Sequence, residues 1–169
     1  MGTIKIGPEE EKLISEIDAF KGKYEKRLSD MEEGLRIAAN QFPANVEGEV
    51  KFIEEKICKA KEIVGRLRCI IHNISVVTYD TRESFSITWG AFNEDSQQLC
   101  QHVYGSSIKE PLTEKQFVYA ITSWECEVRK TVSLIKQQLG ASLIYSGFFS
   151  EIEREVHKIV CEYVKTKTT

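Results

Sequence analysis

The stretch NISVVTYDTRESFSITWGAFNED, residues 73–95, decides the fold. Phe85, Ile87 and Trp89 alternate with Ser84, Ser86 and Thr88, the period-2 pattern of a half-buried strand. Asp80 and Glu83, three apart, spell the start of a helix instead. The segment is either a β-hairpin set among helices or a bend between two of them. The residues on either side supply the arguments.

Upstream, the large apolar residues run Leu13, Ile17, Phe20, Tyr24, Leu28, Met31, Leu35, with Ala38 closing the series. The steps of three and four are those of a coiled-coil seam. After the break NQFPAN, which contains Pro43, a second series runs Val50, Ile53, Ile57, Ala60, Val64, Leu67, Ile71, Ile74. Folding the chain back at Pro43 and Ala44 sets Ala38 against Val50, Leu35 against Ile53 and Met31 against Ile57, and continues to Leu13 against Ile74. Facing residue numbers then add to 87 or 88, which also brings Gly22 and Gly65, two helix-weakening residues, to one level. The reading is an antiparallel hairpin with helices over 10–41 and 46–77.

That phase passes through Ile71 and Ile74, so residues 70–77 read as helix even though CIIHNISVV is β-branched. SFSITW then lacks a hairpin partner, and YDTRES lacks the Asn-Gly or Asp-Gly chemistry of a tight turn. A third helix is therefore expected, capped by Asp80, with Phe85, Trp89, Phe92, Leu99 and Val103 on one face and Gly105 at its end. FNED is a good cap as well, and leaves residues 84–90 open to an irregular path with the helix starting at Asn93.

Downstream, Thr113 and Gln116 form a capping box and Leu112 and Phe117 a hydrophobic staple. The helix they open continues through Trp124, Val128, Val132 and Leu139 to Gly140. ASLIYSGFF reads as an apolar connector, Ser150 as the cap of a last helix through Ile152, Val156, Ile159 and Tyr163, and KTKTT as a frayed end. The expected fold is all-α: a helical bundle with a long antiparallel coiled-coil hairpin at residues 10–77, followed by three further helices over 80–166, in a single domain 1–169.

Composition narrows the function. The 169 residues are 41% hydrophobic and 29% charged, enough apolar material for one real core. A net charge of −3 argues against a general nucleic-acid binder, which needs a basic surface to neutralise phosphates. Residues 69–111 hold 2 basic and 5 acidic residues against 13 and 14 in 1–68, a sparsely charged, aromatic middle. Five Cys without a CxxC pair are no disulfide framework, and with no signal peptide or bilayer-length apolar run in view the expected setting is the cytoplasm.

No phosphate-binding glycine loop, zinc-protease or nucleophile-elbow motif is present, and no cofactor is expected. Cys69 with His72, and His157 with Cys161, have the spacing of two ligands on one helix face. Buried cysteine is more often an apolar filler, so no metal, catalytic or cofactor-binding residue is assigned. The expected function is non-enzymatic: a protein–protein interaction or scaffold module that self-associates as a homo-oligomer or docks another chain. Phe85, Trp89, Phe92, Gln97, Gln101 and Tyr104 are the candidate partner-binding residues, aromatic anchors among polar neighbours. A membrane- or lipid-associating helical module of BAR-like character is the alternative.

Overall fold

Pro8 and the three carboxylates after it open the first helix. Proline at the first turn gives up an amide that has no helical partner, and Glu9, Glu10 and Glu11 sit against the positive end of the helix dipole. In the computed structural model this helix, α1, spans Pro8–Asn40, roughly 50 Å at 1.5 Å per residue. The structure describes residues 7–79, 84–92, 99–104, 114–139 and 143–168, and along the strands that description is of the backbone.

A short loop leads to Gly48, whose φ of 68° is left-handed and favours a residue without Cβ. There α2 begins and runs Gly48–Asn73. It returns antiparallel to α1. Lys21 Nζ donates to the Ile74 carbonyl (2.9 Å), His72 Nδ1 meets Glu25 Oε1 (2.9 Å) and Arg68 Nε donates to Glu32 Oε2 (3.0 Å). After α2 come β1 (Ser75–Tyr79), β2 (Ser84–Phe92) and β3 (Leu99–Tyr104), then α3 (Glu114–Leu139) and α4 (Leu143–Thr168).

The four helices form a bundle in which each lies beside the next and α4 returns to α1. Lys136 of α3 reaches Ser150 (3.0 Å) and Glu153 (2.7 Å) of α4, while Glu125 meets His157 (2.8 Å), so these two run antiparallel. Lys12 with Glu162 and Lys23 with Glu151 show that α1 and α4 are antiparallel as well. The core between them is apolar and shared by all four: Tyr24 and Leu28, Val64, Leu67 and Ile71, Trp124 and Val128, Ile152 and Val156 are all fully buried. Phe20 meets the edge of Trp124 at 5.9 Å between ring centroids. The Trp124 indole also donates to the Ile70 carbonyl (3.2 Å), and with Lys21 on Ile74 it supplies partners that the end of a helix lacks by itself.

The strands form an antiparallel meander in the order β1-β2-β3. Ser75 pairs with Thr88 and Tyr79 with Ser84, and Ile87 pairs with Tyr104 and Phe92 with Leu99. β2 lies against both α2 and α3.

The helical bundle is as expected, and five of its expected details are corrected. The helix expected from Asp80 to Gly105 is replaced by β2 and β3, and residues 75–77, read as the end of the second helix, belong to β1. Ile74 already has the extended backbone of a strand entry (φ −67°, ψ 127°). The run Ile74, Val76, Val77, Thr78 is β-branched, stiff in a helix and at ease on a pleated sheet. Its partner is the alternating SFSIT that had seemed to have none. Asp80, Glu83 and Gly105 lie outside the described residues.

The pairing register is also different. The rule of 87 or 88 places Phe20 opposite Leu67, Ile17 opposite Ile71 and Leu35 opposite Ile53. The contacts instead tie Glu25 to His72 and Glu32 to Arg68. Relative to that rule α2 is displaced by roughly nine residues, about two and a half turns. Gly65 faces the Glu32 carboxylate, which a Cβ there would meet at 3.2 Å, whereas Gly22 has nothing within 4 Å, so the two glycines are not a pair. The first turns of α2 then stand uncovered: Val50 is 47% exposed and Ile53 51%.

At the other end of the chain, α4 begins at Leu143, so Gly147 and Ser150 lie inside it and Ser150 accepts a hydrogen bond from Lys136 where a cap had been expected. The KTKTT tail is helical through Thr168, for Lys167 is tied to Glu10. The capping residues Leu112 and Thr113 lie outside the described residues.

The register makes a direct prediction. Val64→Asp buries a charge in a fully apolar layer and costs about 3–5 kcal/mol, while Ile53→Asp, three turns earlier on the same stripe, changes stability by less than ~0.5 kcal/mol. Urea melts of the two variants check this, and a large loss for Ile53→Asp would restore the original pairing.

Candidate interaction surface

Five large apolar side chains stand exposed among the described residues: Ile37, Val50, Phe52, Ile53 and Tyr119. Three of them fall within four consecutive positions on the first turns of α2. Val50 and Ile53 begin the stripe that becomes core further on at Ala60, Val64 and Leu67, with Ile57 half-buried between. Phe52 is the most exposed, at 58%, and the ammonium of Lys56 sits 4.9 Å from its ring centroid, a cation–π contact. Lys51 and Glu54 pair within the helix at 3.5 Å. An apolar stripe with charges of both signs beside it is the composition of a small interface.

The best-built polar cluster is elsewhere, at the opposite end of the bundle. Glu10 is 1% exposed, and its carboxylate accepts from the Gly7 amide (2.9 Å), the Tyr163 hydroxyl (2.8 Å) and the Lys167 ammonium (2.6 Å). Burial opposes its charge, but the hydrogen bonds from Lys167, Tyr163 and Gly7 together outweigh that and hold its pKa below the usual carboxylate range. Burial first, and the Glu10 carboxylate second, push the Tyr163 phenol far above its ordinary value. The Tyr163 and Lys167 bonds fasten α4 to α1, so the Glu10 carboxylate acts as a clasp.

Among the described residues, Cys69, His72, His157 and Cys161 form no common cluster. Cys69 is buried, and burial raises its thiol pKa. His72 is exposed and bonded to Glu25, while His157 is bonded to Glu125, which also accepts from Arg129 (3.2 Å). Among the described residues no group of three or more His, Cys, Asp and Glu could hold a metal ion. A cleft of about 320 Å³ between α1 and α2 is lined by Glu25, Lys26, Ser29, Arg68 and His72, with Arg68 and His72 turned to the carboxylates of Glu32 and Glu25.

The residues expected to bind a partner are divided between two strands. Phe85, Trp89 and Phe92 are on β2, and Gln101 and Tyr104 on β3, where the register sets Gly90 opposite Gln101 and Ile87 opposite Tyr104. Their side chains and the whole of Gln97 lie outside what the structure describes. The exposed turns of α2 were missed from sequence because the eight-layer pairing had already assigned Val50 and Ile53 to the core. One signal was present: Phe52 and Lys56 fall off the stripe, and an aromatic there has no layer to fill.

Comparison with known proteins brings no match, whether to a protein-family model, a curated protein or a solved structure.

The clasp predicts two measurements. Tyr163→Phe removes one hydrogen bond to a buried carboxylate and costs about 1.5–3 kcal/mol. Because the folded-state pKa of Glu10 is depressed, its contribution is complete above the unfolded-state value near ~4.3 and is lost as pH falls through the folded value. Wild type should therefore lose more stability on acidification below about pH 4 than Glu10→Gln does. Denaturant melts of both across that range check it, and parallel losses would remove the clasp from the acid response.

Proposed function

We propose that this protein acts by binding protein chains, a second copy of itself included, and performs no chemistry of its own. The observation that carries the reading is the apolar run Val50, Phe52, Ile53 left uncovered on the first turns of α2. A helix face that becomes core a few turns later is apolar by the same pattern that builds the bundle, and where the bundle stops covering it another chain can continue the packing. The polar clusters support the same reading, since Glu10 is spent on Tyr163 and Lys167, and His157 on Glu125. No helix among the described residues is long and apolar enough to cross a membrane.

Multi-angle light scattering over a concentration series tests the proposal. The expected result is a mass that rises above the 19.4 kDa of one chain as concentration increases. A constant 19.4 kDa, together with co-sedimentation on phosphatidylserine vesicles, would replace it with the lipid-associating reading.

A further inference from the structure

We propose that the first turns of α2 are a homodimer surface, on which the same turns of a second copy dock antiparallel. The inference rests on the self-association reading above and gives it a place and an orientation. Val50 and Ile53 are three apart on one stripe, so in an antiparallel pairing Val50 of each copy meets Ile53 of the other, two equivalent contacts about a two-fold axis. This is the layer that the offset of α2 denied to Leu35 and Ala38. Phe52 widens it on one side.

Charge selects the orientation. Glu49 and Lys56 are seven apart and flank the stripe at the same position of successive repeats, while Glu54 and Lys61 flank it on the other side. In an antiparallel pair, Glu49 of each copy faces Lys56 of the other, two attractive contacts. A parallel pair would set Glu49 against Glu54, like against like. Glu54 is already turned to Lys51 of its own helix at 3.5 Å and does not compete for Lys56. On the Glu49 and Lys56 side the surface is self-complementary only in the antiparallel sense.

Area bounds the strength. Val50, Phe52 and Ile53, each about half exposed, offer on the order of 300 Å² of apolar surface per copy, well under the ~800 Å² per partner of a standard interface. The dimer is therefore weak and reversible, with half-association at roughly 100 μM or above.

Sedimentation velocity on the full chain from about 10 μM to 1 mM tests it, the range being set by that expected affinity. Glu49→Lys should raise the half-association concentration about tenfold, Lys56→Glu should do the same, and the double exchange should restore wild-type behaviour. Ile53→Asp, at an exposed position, should leave a folded monomer. Strengthened association of Glu49→Lys would indicate the parallel pairing and overturn the proposal. So would a wild-type dimer indifferent to all four variants, which would leave self-association standing on another surface. A wild type that stays monomeric at 1 mM would overturn both readings together.

Discussion

The offset between α1 and α2 governs the rest of the structure. It is set where a side chain of α1 lies down on a glycine of α2: the Glu32 carboxylate rests over Gly65, close enough that a Cβ would meet it at 3.2 Å, and there accepts from Arg68 one turn on. His72 on Glu25 and Lys21 on the Ile74 carbonyl hold the same register further along. With α2 so placed, two things follow. Its first turns run beyond the apolar positions that α1 can offer, and its last turn ends level with Lys21, leaving Leu13 and Ile17 of α1 to be covered by other elements. α4 covers part of that end, where Tyr163 and Lys167 close on Glu10.

The chain changes from helix to strand where α2 ends. A helix terminus must find partners for its last carbonyls, and here Trp124 and Lys21 provide them from two other helices. Released at Ile74, the β-branched Val76 and Val77 enter a strand whose neighbour in sequence, β2, is also its neighbour in the sheet. A meander asks little of the turns between strands beyond reversal of direction, and its pairing is local in sequence. Sequence-adjacent pairing of this kind forms without long-range loop closure.

Much of this was legible in the sequence, and the exceptions have a common cause. The helical bundle and the apolar stripes of α1, α2, α3 and α4 follow from three-and-four spacing, and most of the residues placed on those stripes are buried, Val50 and Ile53 being the exposed exceptions. What spacing cannot supply is a relation between two stripes. Two repetitive apolar seams offer similar contacts at more than one offset, so the constant pairing of eight layers was self-consistent and shifted. The choice among shifts was made by single non-repeating residues, Gly65, Glu32 and Arg68, whose meaning depends on the contact they make. The same holds at Ile74, Val76 and Val77. A β-branched run can sit in phase with the helix before it and still leave that helix, because its partner strand, residues 84–88, lies further along the chain. The Glu10 clasp joins residues 153 apart in sequence and had no local sign at all.

The exposed stripe on α2 shows why a missed register matters for function more than for fold. Sliding α2 along α1 leaves the centre of the seam apolar on both sides, and Leu28, Val64 and Leu67 are fully buried in the register observed. The ends are different. Each turn of displacement uncovers apolar residues at one end and leaves the other to be filled, and both consequences fall on the surface, where other molecules act. An uncovered stripe of three side chains is too small to drive aggregation by itself and large enough to favour a chain that presents the matching pattern. The chain certain to present it is another copy. Self-pairing of this sort is limited by geometry to whatever extends past the bundle, here the turns from Gly48 to Ile57. An interface that ends where the core begins is bounded in area by the offset itself. The register set by Gly65 and Glu32 thus uncovers the stripe on which the proposed contact rests and limits its area.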